Sequence, residues 1–112
     1  MESIFNYPIN TRLKSGGHIA VEVSATSDQN RRWIAIYKPN SKPIDETIPE
    51  HIYSILDFEL KKEKTDEYFA DEDMLNQKRY YVNTEEELID LLLDLRVDPK
   101  RFTYPWKCDY PL

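Results

Sequence analysis

The chain has two glycines, Gly16 and Gly17, and they are adjacent. A loop that wraps a phosphate in backbone N–H groups needs more glycine than this, set between a strand and a helix. A nucleotide-cradling loop is therefore excluded. There is one cysteine, Cys108. It rules out an internal disulfide and any Cys-x-x-Cys zinc site, and it predicts a reducing, cytoplasmic setting. The two histidines, His18 and His51, are too far apart for a His-x-x-x-His metal pair. Apolar runs extend only a few residues, against the roughly 20 that a membrane span requires. The opening MESIFNYPIN has no basic stretch followed by an apolar one, so no signal peptide is expected. There is no internal repeat and no low-complexity tract.

What the chain has is acid. Its 112 residues carry a net charge of -6. The charge is uneven, with a net of +3 over residues 1–42 and of -9 over residues 43–112. Most of such a surface repels DNA or RNA and attracts a basic protein. The length suits one domain, residues 1–112, large enough to fold without metals or disulfides.

The expected fold class is α+β, with an antiparallel sheet of three to five strands packed against two helices. Ile19, Val21 and Val23 alternate with Ala20, Glu22 and Ser24, which predicts a strand over 18–25. A second follows over 31–39, where Trp33, Ala35 and Tyr37 alternate with Ile34 and Ile36 on the other face. The two read as a hairpin. Residues 9–14, before the glycine pair, read as a third strand. Thr47 and Glu50 make a capping-box pattern ahead of Ile52, Tyr53, Ile55 and Leu56, which predicts a helix over 48–60. Alternation of Leu56, Phe58 and Leu60 leaves a strand open for its second half. Residues 65–77 have no clean period and read as loop or short irregular helix, and 78–82 as a strand. Thr84 and Glu87 form a second capping box. Behind it, Leu88, Ile89, Leu91, Leu92, Leu93 and Leu95 predict a helix over 85–96 with a broad apolar face, laid on the sheet through Leu88, Leu91, Leu92 and Leu95. Residues 99–112, rich in proline and aromatics, read as an extended tail with one side on the domain.

Candidate chemistry is sparse. His18 and His51 are the available neutral-range bases, and neither sits in a catalytic pattern. Cys108 has no histidine nearby in sequence. The stretch Asp71–Asn76 has the acids of a calcium loop but lacks its glycine and the twelfth-position glutamate, which leaves at most weak binding by Asp71 and Asp73. Arg12, Lys14, Arg31, Arg32 and Lys38, with Trp33 and Tyr37 interleaved, could form a basic stacking platform, but Trp33 lies in an apolar strand and reads as core, and Arg31 and Arg32 as a solvated strand end. The residues predict no catalysis, no cofactor, no structural metal and no nucleic-acid or membrane partner. A small enzyme using an unrecognised acid–base pair is the alternative.

The most informative stretch is DEYFADED, residues 66–73. Asp66, Glu67, Asp71, Glu72 and Asp73 enclose Tyr68 and Phe69. Acids steer an encounter with a basic partner, and aromatics anchor it. Asp66, Glu67, Tyr68, Asp71, Glu72 and Asp73 are therefore the expected partner-binding residues. With its size, acidity and absence of an active-site motif, the chain resembles the immunity proteins of bacterial contact-dependent growth inhibition and related polymorphic toxin systems. That resemblance implies a stoichiometric inhibitor that covers the active site of a basic toxin domain, commonly a nuclease. An adaptor or regulatory subunit binding another protein remains open.

Overall fold

The computed structural model describes residues 5–38, 52–64 and 70–111. The fold is α+β, with a four-stranded antiparallel sheet and two helices. The strands are β1 (Ile19–Val23), β2 (Asn30–Tyr37), β3 (Tyr53–Lys61) and β4 (Leu75–Val82), and they lie side by side in chain order. The helices are α1 (Ile9–Lys14) and α2 (Glu85–Asp94). No helix among the described residues is long and apolar enough to cross a membrane.

Both sheet faces carry an apolar cluster. On one, Ile19, Val21, Ile34, Ile36, Ile55 and Val82 pack with Ile9 and Leu13 of α1 and Leu88 and Leu92 of α2. On the other, Ala20, Trp33, Ala35, Leu56, Phe58 and Leu60 pack with Met74 and Tyr110. The β1–β2 hairpin stands as expected, in a register that sets Ile19 opposite Ile36 and Val21 opposite Ile34.

Two expected elements are of the other type. Residues 9–14 form α1, not a strand. Ile9 and Leu13 are four apart and both buried, whereas a strand would also need Thr11, which is exposed. Gly16, at φ 94, ends the helix in a backbone conformation that suits glycine. The helix expected over 48–60 is replaced from Tyr53 onward by β3, so the strand left open for its second half is the element that forms there. Every residue from Ser54 to Leu60 is buried, because β3 lies between β2 and β4 with both faces covered. The proposed capping box at Thr47 and Glu50 lies outside the described residues. β4 begins three residues earlier than expected, through a bulge that sets Phe58 of β3 against Asn76 and Gln77 of β4, between the pairs Asp57–Lys78 and Glu59–Leu75.

The described part of the chain end, residues 99–111, is not an extended tail. Pro99–Arg101 and Pro105–Lys107 are short 3-10 turns, each opened by its proline, with Asp98 accepting from the Lys100 N–H at 2.9 Å. Between them Thr103 pairs with Ala20 of β1. Phe102 is buried on the helix side of the sheet and Tyr110 on the other, while Trp106 is 62% exposed. The chain end thus wraps an edge of the sheet and serves both of its faces.

α2 forms as its sequence indicates. The Thr84 hydroxyl accepts from the Glu87 N–H at 3.0 Å, and the Glu87 carboxylate accepts from the Asn83 N–H at 3.2 Å. Leu88 and Leu92 are fully buried, with Leu91 and Leu95 packed against the same cluster. Thr84→Ala should therefore lower stability by about 1 kcal/mol, read as a lower urea midpoint at unchanged slope.

Candidate functional site

The structure places the six expected partner-binding residues unevenly. Asp66, Glu67 and Tyr68 lie outside the described residues. Asp71, Glu72 and Asp73 form a 3-10 turn that leads into β4. Glu72 is exposed, while Asp73 is half-buried and closes its own turn by accepting from the Ala70 N–H at 2.9 Å. Of these three, Glu72 is the acid shown turned to solvent.

A second acidic surface lies on α2. Glu85, Glu86, Glu87, Asp90 and Asp94 are all exposed, and no Lys or Arg occurs between Tyr80 and Leu95. Glu86, Asp90 and Asp94 recur every four residues, so they line one stripe of the helix. Leu93, three residues after Asp90, sits beside that stripe and is 67% exposed. The buried leucines occupy the opposite side. In the sequence, Glu87 stands out only as the partner of Thr84 in the capping box. The signal for more was present in the four-residue spacing of acids without an intervening base.

A polar pocket lies on the helix-bearing face of the sheet, where the alternation of β2 and β3 gives way from Ile34 and Ile55 to Arg32, Asp57 and Glu59. Its volume is about 370 Å³, and Thr26, Asn76, Gln77 and Lys78 complete its walls. Asp57 is 4% exposed and Glu59 1%. Arg32 holds Asp57 with two parallel bonds, Nε to Oδ1 at 2.9 Å and Nη2 to Oδ2 at 2.7 Å. That pairing holds the Arg32 guanidinium above its usual range against the opposing effect of burial. The two arginines expected at a solvated strand end are thus both engaged. Arg31 binds Glu22 through Nε at 2.7 Å and Nη2 at 2.8 Å, and reaches Asp109 at 3.3 Å.

Among the described residues, Glu59 has no ion-pair partner and is held by neutral donors. It accepts from the Thr26 N–H at 2.9 Å, the Thr26 hydroxyl at 3.0 Å and the Asn76 amide at 2.8 Å. The Asn30 amide adds a longer contact at 3.4 Å. Burial alone would raise its pKa, but these donors outweigh it and hold the carboxyl below its usual range. Asn76 reaches it from the bulge, at φ 51, a left-handed conformation that asparagine tolerates. Glu59 therefore joins the β1–β2 connection, β2 and the start of β4. It is a charged knot in the fold, not a carboxyl poised to exchange protons near neutral pH.

His18 is half-buried, not a surface residue, and stacks on Tyr37 with ring centroids 5.0 Å apart. His51 lies outside the described residues. Cys108 is half-buried, and burial raises its thiol pKa. Among the described residues no group of three or more His, Cys, Asp and Glu is placed to hold a metal ion. The chain matches no protein-family model, no curated protein and no solved structure.

Proposed function

We propose that this protein is a small acidic inhibitor of the immunity type, which binds a basic toxin domain and neutralises it by covering its active site. The observation that carries the reading is the outer stripe of α2: three carboxylates at four-residue spacing, an exposed Leu93 beside them, and no cation on the helix. Carboxylates on a helix whose other side is locked into the core are pre-placed, so little entropy is lost when they meet arginines and lysines. A nuclease suits this surface, because a cleft that binds a polyanion is lined with cations that carboxylates can occupy. Glu72, with Asp71 in the same turn, supplies a further acidic segment at the opposite end of β4.

The test is co-expression with the toxin domain encoded by the neighbouring reading frame. Growth should be rescued by this chain and not by an unrelated acidic protein. With the purified pair, Glu86→Gln, Asp90→Asn and Asp94→Asn together should slow association about tenfold and flatten its salt dependence. Asp71→Ser with Glu72→Ser measures the share of the turn, sparing Asp73, which closes it. Absence of rescue would overturn the inhibitor reading. Rescue with unchanged kinetics in both variants would move the contact to another face.

A further inference from the structure

We infer that the free half of β1 is a docking site for an extended acidic peptide, which adds to the sheet as a fifth strand. β1 is an edge of the sheet. The Ala20 N–H donates to the Thr103 carbonyl at 3.1 Å, and the Ala20 carbonyl accepts from the Thr103 N–H at 2.9 Å. Both Ala20 backbone groups therefore point away from β2. Strand geometry repeats every two residues, so the Glu22 N–H and carbonyl point the same way. Arg101 marks that direction, since its Nη2 lies 3.4 Å from the Glu22 carbonyl.

The pairing begun at Ala20 stops at once. On either side of Thr103 the chain turns off through the 3-10 turns Pro99–Arg101 and Pro105–Lys107. Among the described residues nothing accepts the Glu22 N–H, and its carbonyl has only the long Arg101 bond. Between the two turns and the backbone of Val21–Ser24 runs a groove of about 510 Å³. Arg101 and Lys107 are both exposed and line this groove. Among the described residues neither is ion-paired, and the carboxylates of Glu22 and Asp109 are both bound to Arg31.

These features define the occupant. The outward Glu22 N–H and C=O are complementary to an extended peptide backbone, and the stretch Val21–Ser24 along the groove offers roughly 13 Å of it. Two unpaired cations beside that row select Asp or Glu at alternate positions of the incoming strand. The wall on the tail side is held in place: Trp106 and Tyr104 stack at 4.9 Å, and the Arg12 guanidinium lies 5.0 Å from the Trp106 ring. This site goes beyond the inhibitor reading. It is basic where α2 is acidic, and it does not need a toxin partner to be examined.

The experiment uses the full chain, labelled with ¹⁵N, and two capped peptides, Val-Asp-Val-Asp-Val and Val-Lys-Val-Lys-Val. In the free protein the Glu22 amide should exchange with solvent at least about tenfold faster than those of Val21 and Val23, which face β2. Titration with the aspartate peptide should shift resonances of residues 21–24 and 101–107 and slow exchange at Glu22. Arg101→Glu with Lys107→Glu should weaken binding about tenfold or more while leaving the urea midpoint near that of the wild type. A Glu22 amide already protected in the free protein would overturn the proposal. So would equal binding of the lysine peptide, shifts confined to β4, or dimerisation through β1 in place of peptide binding.

Discussion

Trp33→Ala should lower stability by about 3–5 kcal/mol, a large share of the roughly 5–15 kcal/mol available to a domain of this kind. Trp33 is fully buried near the middle of β2, tilted against Phe58 with centroids 5.9 Å apart. Its indole N–H donates to the Cys108 carbonyl at 2.8 Å, and the Arg31 guanidinium lies 5.0 Å from its ring. One side chain therefore fills the second face of the sheet and ties the chain end to it. Truncation removes the ring and leaves both the cavity and an unpaired carbonyl. Trp33→Phe keeps most of the volume and should cost about 1–2 kcal/mol, much of it from the lost hydrogen bond. Trp106→Ala is the control: at 62% exposure it should change stability by no more than about 0.5 kcal/mol. Circular dichroism against urea gives all three. Cleavage by trypsin after Lys107 should accelerate in Trp33→Ala, because residues 108–110 lose their anchor. A cost below about 1.5 kcal/mol would mean that the chain end is not a structural part of this face.

The elements legible in the sequence are those with a single unambiguous signal. β1 and β2 alternate with period two, and α2 has a capping box and leucines at helical spacing. β3 was legible only in its second half, where Leu56, Phe58 and Leu60 alternate; both of its faces are buried, so its first half carries no period of two. Ile52, Ile55 and Leu56 then fit helical spacing by accident, and the capping-box pattern upstream reinforced it. α1 is six residues long and carries only Ile9 and Leu13 as signal. The acidic character was legible, but the acids clustered in sequence around aromatics lie in residues 66–73, whereas Glu86, Asp90 and Asp94 are brought into line only by the turn of the helix. The groove beside β1 was beyond reach. It exists because Thr103 returns to Ala20 across more than eighty residues, and no local pattern encodes that meeting. The same holds for Glu59, whose charge looked like the polar half of an alternating strand until Thr26 and Asn76 closed over it.

Removing that charge should be nearly as costly as removing the tryptophan, and its effect should depend on pH. Glu59→Ala leaves the Thr26 N–H and the Asn76 amide without their acceptor. Hydrogen bonds to a charged group contribute about 1.5–3 kcal/mol each, and relief of the buried charge offsets part of the loss, so a net cost of about 2–4 kcal/mol is expected near neutral pH. Glu59→Gln should recover little of it, since its amide N–H₂ would face donors from Thr26 or Asn76. The pH dependence follows from the direction of the shift. The folded-state pKa of Glu59 lies below its ordinary 4.5. Unfolding therefore leads to proton uptake between those two values, and the stabilisation is complete above about pH 5 and lost as pH falls through the folded value. Wild-type stability should thus decline more steeply than that of Glu59→Ala on acidification from pH 6 to pH 3, and the two curves should converge at the acid end. Urea unfolding at half-unit intervals measures this. Parallel curves would show that Glu59 is bound equally well with and without its proton, and that shape, not charge, holds Thr26, Asn30 and Asn76 together.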